Sequence, residues 1–277
     1  MKAQFTQKII GTGERKTLLI PIAEKAEQSV QYAGAPSFAY TAAGWSVNRD
    51  SVVSSPEFEI DSELERHASL PELLRDAGAT SEGQLTVTII PDNVDEEKAA
   101  IMRALLQSKE SLIRKALGTD QPLEVAVAGS GYTFAFYTAT LDHADIMAAI
   151  QFAHCIYEQS FQQKRVTSSD KPVDNEKYAF RCFLLRIGMI GKEYGTARKV
   201  LGKNLSGNSS FKSGERKKPD KAADQPIQGA PIISEETFHA AQAAMQGRAA
   251  GPDDLAEALA DAELVHGVNV LMEGTDE

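Results

Sequence analysis

Gln84-Leu85-Thr86-Val87-Thr88-Ile89-Ile90 decides the fold: apolar and hydroxyl side chains alternate along a run rich in β-branched residues, the pattern of a half-buried strand. About 80 residues earlier, Gln4-Phe5-Thr6-Gln7-Lys8-Ile9-Ile10 reads the same way and ends in the same Ile-Ile pair. Around each strand the chain repeats an order. After the first, Gly11-Thr12-Gly13 turns, and residues 14–27 place Leu18, Leu19, Ile22 and Ala26 on one helical stripe. Val30-Gln31-Tyr32, the turn Gly34-Ala35-Pro36 and Phe38-Ala39-Tyr40-Thr41 then read as a hairpin, which Trp45-Ser46-Val47 continues. After the second strand, a helix over about 95–117 carries Ile101, Leu105, Leu112 and Ala116. Leu123–Val127, Gly129-Ser130-Gly131 and Tyr132–Phe136 make another hairpin.

Two readings fit this recurrence: duplication of one supersecondary unit, or chance similarity of two short aromatic hairpins. The expected fold class is α+β. Two β-α-β-β units, at 3–53 and 83–140, form a mixed or antiparallel sheet body, followed by a basic helical module and a flexible acidic tail. The expected boundaries are 1–163 for the body, 164–213 for the module, 214–233 for a linker and 234–277 for a partly helical tail. Helices are also expected from Leu64 to about Ala77 and from Asp142 to about Gln162. In the module, Asp174 is the expected N-cap of a helix whose Tyr178, Phe180, Cys182, Phe183, Leu184, Leu185 and Ile187 make it apolar nearly all round, hence buried. Gly188 and Gly191 end it, and a second helix over about 192–204 turns Lys192, Arg198, Lys199 and Lys203 outward.

The chain of 277 residues carries a formal charge of −10, which excludes a protein that coats nucleic acid or anionic membrane over its whole surface. The charge is unevenly placed. Residues 1–160 hold 13 basic and 22 acidic side chains, residues 161–218 hold 14 and 5, and residues 219–277 hold 2 and 12. The middle block is the strongest functional signal, the footprint of phosphate contacts. Its candidate contacts are Arg181, Arg186, Arg198, Lys199, Lys203, Lys212, Arg216, Lys217 and Lys218, the first two on the helix expected to be buried. Docking of this block on the protein's own acidic body or tail is the competing reading. A helix-turn-helix fits the helix pair, but no diagnostic residue pattern enforces it.

The run Asp174-Asn175-Glu176-Lys177-Tyr178-Ala179-Phe180-Arg181-Cys182-Phe183-Leu184-Leu185-Arg186 resembles a family carried by phages and integrative elements of Firmicutes and labelled "virulence-related protein". Lys192–Leu201 and Asn204–Lys212 look like that family's C-terminal signature. Ala35-Pro36-Ser37-Phe38-Ala39-Tyr40 and Ser111–Gly118 are similar to its opening half. The resemblance covers about 1–213, excludes the acidic tail, and implies cargo of a mobile element without implying a reaction.

Other motifs give little chemistry. Gly11-Thr12-Gly13-Glu14-Arg15-Lys16-Thr17 has the Lys-Thr ending of a phosphate loop, but Arg15 stands where the backbone needs glycine, so a plain turn is expected. Tyr132, Phe134 and Phe136 alternate like the aromatic strand of an RNA-recognition domain. With Ser130 in place of the leading cation, an aromatic core face is expected. Cys155 and Cys182 lie in apolar helical patterns without CxxC spacing, which suits a reducing, cytoplasmic setting without disulfides. Adjacent His154 and Cys155 point to different faces of a helix and make no dyad. The N-terminus lacks a signal-peptide stretch and no window is long enough to span a bilayer. The expectation is therefore a non-enzymatic nucleic-acid-binding accessory protein, with no metal, cofactor or membrane partner. The alternative is an inhibitor or adaptor, such as a counter-defence factor, that engages a host or element protein through acidic surfaces.

Overall fold

The computed structural model describes residues 1–129, 131–163, 166 and 173–210. The chain divides between Arg216 and Lys217, and every described residue lies on the first side of that division. In chain order come β1 (Lys2–Ile10), a 3₁₀ turn (Arg15–Leu19), α1 (Ile20–Lys25), β2 (Gln31–Tyr32), β3 (Tyr40–Ala42), β4 (Trp45–Val47) and β5 (Val52–Ser54). Then follow β6 (Phe58–Glu59), α2 (Ile60–Asp76), β7 (Thr80–Ile90), α3 (Glu96–Gln107), α4 (Glu110–Leu117), β8 (Val125–Ala128), β9 (Gly131–Thr138), α5 (His143–Gln162), α6 (Glu176–Arg186) and α7 (Gly195–Leu201). The fold class is α+β. One nine-stranded sheet runs β2-β3-β4-β5-β1-β7-β9-β8, with β6 on β1 beside β5, and every pairing is antiparallel.

The two strands legible first in the sequence are neighbours at the sheet's centre, with Ala3 opposite Ile89 and Phe5 opposite Val87. The second is followed by helices and the β8–β9 hairpin, whose second strand returns to β7; after the first, four strands follow the helix and only the last of them, β5, returns to β1, so the first segment is longer than the expected β-α-β-β unit. The aromatic echo does not match the two segments either. Tyr40-Thr41 lies in β3, three places from β1, whereas Phe134 pairs directly with β7 at Val87.

Alternation puts Ala3, Phe5, Ile9, Leu85, Val87 and Ile89 on one face, where the helices bury them in a single core. Phe5 is central there, its ring 5.5 Å from Trp45 and 6.3 Å from Phe58, both edge-on. Tyr132 and Phe134 are buried in the same core, and the Tyr132 hydroxyl donates to the Asp95 carbonyl and accepts from its N–H at the start of α3. The expected aromatic core face is what forms. The opposite face is polar and open. Across it, paired residues set up one uncharged row: Gln31, Thr41, Ser46, Ser54, Thr6 and Thr86.

Close approach fixes two details. At Gly131 a Cβ would stand 2.7 Å from the Ile89 carbonyl oxygen, so only glycine lets β9 meet β7 there. Between β5 and β6 the pairing to β1 slips by one residue around Ser55-Pro56-Glu57. Ser55 repairs the ladder: its N–H donates to the Phe5 carbonyl at 2.9 Å, and its Oγ accepts the Phe5 N–H at 3.0 Å.

Several elements differ from the expectation. The helix read over 14–27 is a 3₁₀ turn and a short α1, with Pro21 in the first turn where its missing N–H costs nothing. The helix read over 95–117 breaks at Ser108-Lys109 into α3 and α4. The module's first helix is capped by Asn175, whose side chain accepts the Tyr178 N–H, and not by Asp174. The second helix is shorter than expected, Gly195–Leu201. No helix among the described residues is long and apolar enough to cross a membrane.

Ser55 is 1% exposed, so Ser55→Ala leaves the Phe5 N–H buried without a partner. We expect a loss of about 1–3 kcal/mol in urea unfolding, and Ser55→Thr, which keeps the hydroxyl, to recover part of it. His67 stacks on Phe58 at 4.7 Å. Burial, helped by the Arg66 cation, holds its imidazole below the ordinary value. The unfolded chain therefore takes up a proton that the folded chain refuses, and stability falls as pH drops below about 6.5. His67→Phe is expected to flatten that part of a stability-against-pH curve.

Candidate functional site

The basic helices belong to the same core as the sheet body. Phe180, Phe183, Leu184, Ala197 and Leu201 are all buried in it, with α7 packed on α5 and α6 on α4. Three devices hold the pair in place. Asn175 caps α6 and donates through its amide to the Asn208 carbonyl at 2.8 Å. Glu176 accepts from Lys115 Nζ at 2.6 Å, from Ser206 N at 2.9 Å and from Ser206 Oγ at 2.7 Å, and these partners hold its carboxyl down at about 2, the Lys115 bond foremost. The Arg198 guanidinium donates to the Met189 and Gly191 carbonyls, at 2.7 and 3.0 Å, and so fastens the turn between the helices. Gly191 takes a φ of 100° in that turn, a left-handed conformation that favours glycine.

The helix expected to be buried nearly all round is amphipathic. Phe180, Phe183 and Leu184 face the core, while Arg181, Cys182 and Arg186 are exposed. Between α6 and α7 opens a cavity of about 430 Å³ lined by Lys177, Arg181, Arg198, Lys199 and Lys203, with Phe180 and Leu184 at its apolar base. Among the described residues no acidic side chain lines it. The fold thus gathers Arg181, Arg198, Lys199 and Lys203, and adds Lys177. Lys177 stands one helical turn before Arg181, a spacing that puts both on one face and was visible in the sequence. Arg186 is left out, since five residues beyond Arg181 it is turned roughly 140° around the helix. Lys212, Arg216, Lys217 and Lys218 lie outside the described residues, as do the linker and the acidic tail.

These cations are not equally free. Lys203 forms an ion pair with Asp145 of α5 at 2.9 Å, so part of the basic block does dock on the acidic body. Arg198 is committed to turn carbonyls, and Arg181 donates to the Ser209 carbonyl at 3.2 Å. The side chains of Lys177 and Lys199 have no hydrogen bond or ion pair among the described residues. Lys203 also borders a second cavity of about 310 Å³ that reaches Asp145, Asn204 and Tyr137.

Chemistry elsewhere is sparse. Among the described residues no group of three or more His, Cys, Asp or Glu side chains is arranged to hold a metal ion. Burial pushes the Cys155 thiol up to about 11, an unreactive state, and neighbouring His154 lies 3.6 Å from Glu158. Arg15, in the turn that lacks the phosphate-loop glycine, instead donates to the Asn48 and Phe38 carbonyls. No family model, curated protein or solved structure matches the chain.

Glu176 is the joint between α4, α6 and the 206 turn. Its folded carboxyl titrates below the unfolded one, so its contribution is present above about pH 4.5 and is lost as pH falls toward 2. Glu176→Gln is expected to lower the urea midpoint at pH 7 and to converge with the parent protein near pH 2.

Proposed function

We propose that the protein is a non-enzymatic, cytoplasmic nucleic-acid-binding accessory factor of a phage or mobile element, holding phosphates in the groove between α6 and α7. The observation that carries the reading is the convergence of five cations around one cavity with no acidic residue among its described lining, Lys203 alone being shared with a carboxylate, that of Asp145. Phosphate contacts need fixed positive charge more than base-reading groups, and Arg181 and Arg198 are fixed by backbone carbonyls. The apolar base keeps solvent from one side of the groove, which strengthens each charge placed at its rim. The resemblance to mobile-element proteins supports the setting and adds no mechanism.

The second reading, a protein-binding inhibitor or adaptor, draws on the acidic surplus of residues 1–160 and on the Lys203–Asp145 pair, which shows that basic segments do seat on that body.

A salt series on the full chain separates them. A labelled duplex and a labelled single strand are expected to bind at low salt and to lose affinity log-linearly. Each phosphate neutralised on duplex contributes about −0.9 to the slope. The double variant Lys177→Glu and Lys199→Glu is expected to weaken binding and reduce the slope by about 2. Absence of binding by the parent protein at low salt contradicts the proposal. Retention of a host protein that is lost when acidic residues of the body are neutralised favours the second reading.

A further inference from the structure

At the far end of the sheet a cluster of aromatic and cationic side chains has no part in the groove. Tyr32 and Tyr40 stand directly opposite each other on β2 and β3, with ring centroids 5.1 Å apart and planes at 44°. The Arg15 guanidinium lies 5.5 Å from the Tyr40 ring and donates to the Asn48 carbonyl at 2.7 Å and the Phe38 carbonyl at 3.3 Å. Phe38 takes a φ of 49°, a conformation rare for a bulky side chain, and the Arg49 guanidinium covers its ring at 3.6 Å.

A clasp that served only to close the hairpin would bury its rings. Tyr32 is instead 55% exposed, braced from behind by Tyr40 and open in front, and its hydroxyl has no hydrogen bond among the described residues. The strained Phe38 backbone is held at the edge of the sheet by the Arg15 guanidinium, which donates to its carbonyl. Over residues 14–50 the basic side chains Arg15, Lys16, Lys25 and Arg49 are matched by Glu14, Glu24, Glu27 and Asp50, so the open ring, and not a local excess of charge, is what this edge offers a ligand.

We infer that Tyr32 is a stacking surface for an unpaired base, so that the protein prefers a single strand to a duplex; the inference rests on the function proposed above. Every base has a π-face, so an open tyrosine ring braced by a second tyrosine takes any sequence. In a duplex the bases are stacked on one another and cannot reach it. Tyr32 then makes the choice between strands, while the groove supplies affinity common to both.

The test uses the full chain, a labelled oligothymidine of about 20 nucleotides and a duplex of about the same length, read by fluorescence anisotropy. Tyr32→Ala is expected to weaken the single strand by roughly five- to a hundredfold and to change the duplex by less than about twofold. Tyr32→Phe, which keeps the ring, is expected to match the parent. Tyr32→Leu keeps apolar bulk without a π-face, and is expected to behave like Tyr32→Ala. Parental single-strand affinity in both Tyr32→Ala and Tyr32→Leu, or equal losses on the two ligands, overturns the stacking surface and leaves the groove standing. Failure of the parent protein to bind either ligand overturns both readings.

Discussion

The antiparallel pairing of β1 with β7 is the constraint from which the rest follows. Once Ala3, Phe5, Val87 and Ile89 share a face, all apolar burial must be supplied from one side, and the helices have only that side to occupy. A sheet with one buried and one wetted face alternates apolar and polar residues, as both central strands do. The open face then needs nothing but groups that water can satisfy, and the row from Gln31 to Thr86 supplies them without charge. Because α5 lies on the buried face against β7, it becomes the floor on which α7 rests. The position of the cationic groove is in that sense set by the two central strands.

Within this arrangement, charge is placed by packing. The chain as a whole is acidic, yet α6 and α7 turn their apolar residues inward and leave cations in the groove that remains. Some of that charge serves structure: Arg198 closes a turn, Lys203 meets Asp145, and Lys115 of α4 reaches Glu176 of α6. Exposed pairs of this kind add little stability each, but together they fix the register of the helices on the body. Lys177 and Lys199 carry the charge left over.

Much of the framework was legible in the sequence because strand and helix periods differ. Gln4–Ile10 and Gln84–Ile90 alternate, and α5 runs from a clear Asp142 cap. The misses have physical causes. Periodicity is blind to a 3₁₀ turn such as Arg15–Leu19, whose few residues satisfy either helix. Ser55-Pro56 conceals one broken strand, since Pro interrupts the pattern and the ladder is restored by a side-chain oxygen that sequence does not display. At the candidate site, counting apolar residues made α6 look wholly buried. Its partners cover Phe180, Phe183, Leu184 and the C-cap Ile187 but leave Cys182 at the surface, so Arg181 and Arg186 emerge beside it. Charge summed by segment counts Lys177 without placing it, whereas the helix presents it by face, beside Arg181.

Lysine footprinting tests the central claim most directly. The full chain is methylated with and without saturating single-stranded DNA at low salt, and each lysine's reactivity is read by mass spectrometry. The account predicts that Lys177 and Lys199 are shielded while exposed Lys25 on α1 keeps its reactivity. Unchanged reactivity of Lys177 and Lys199 in a complex that demonstrably forms would contradict it.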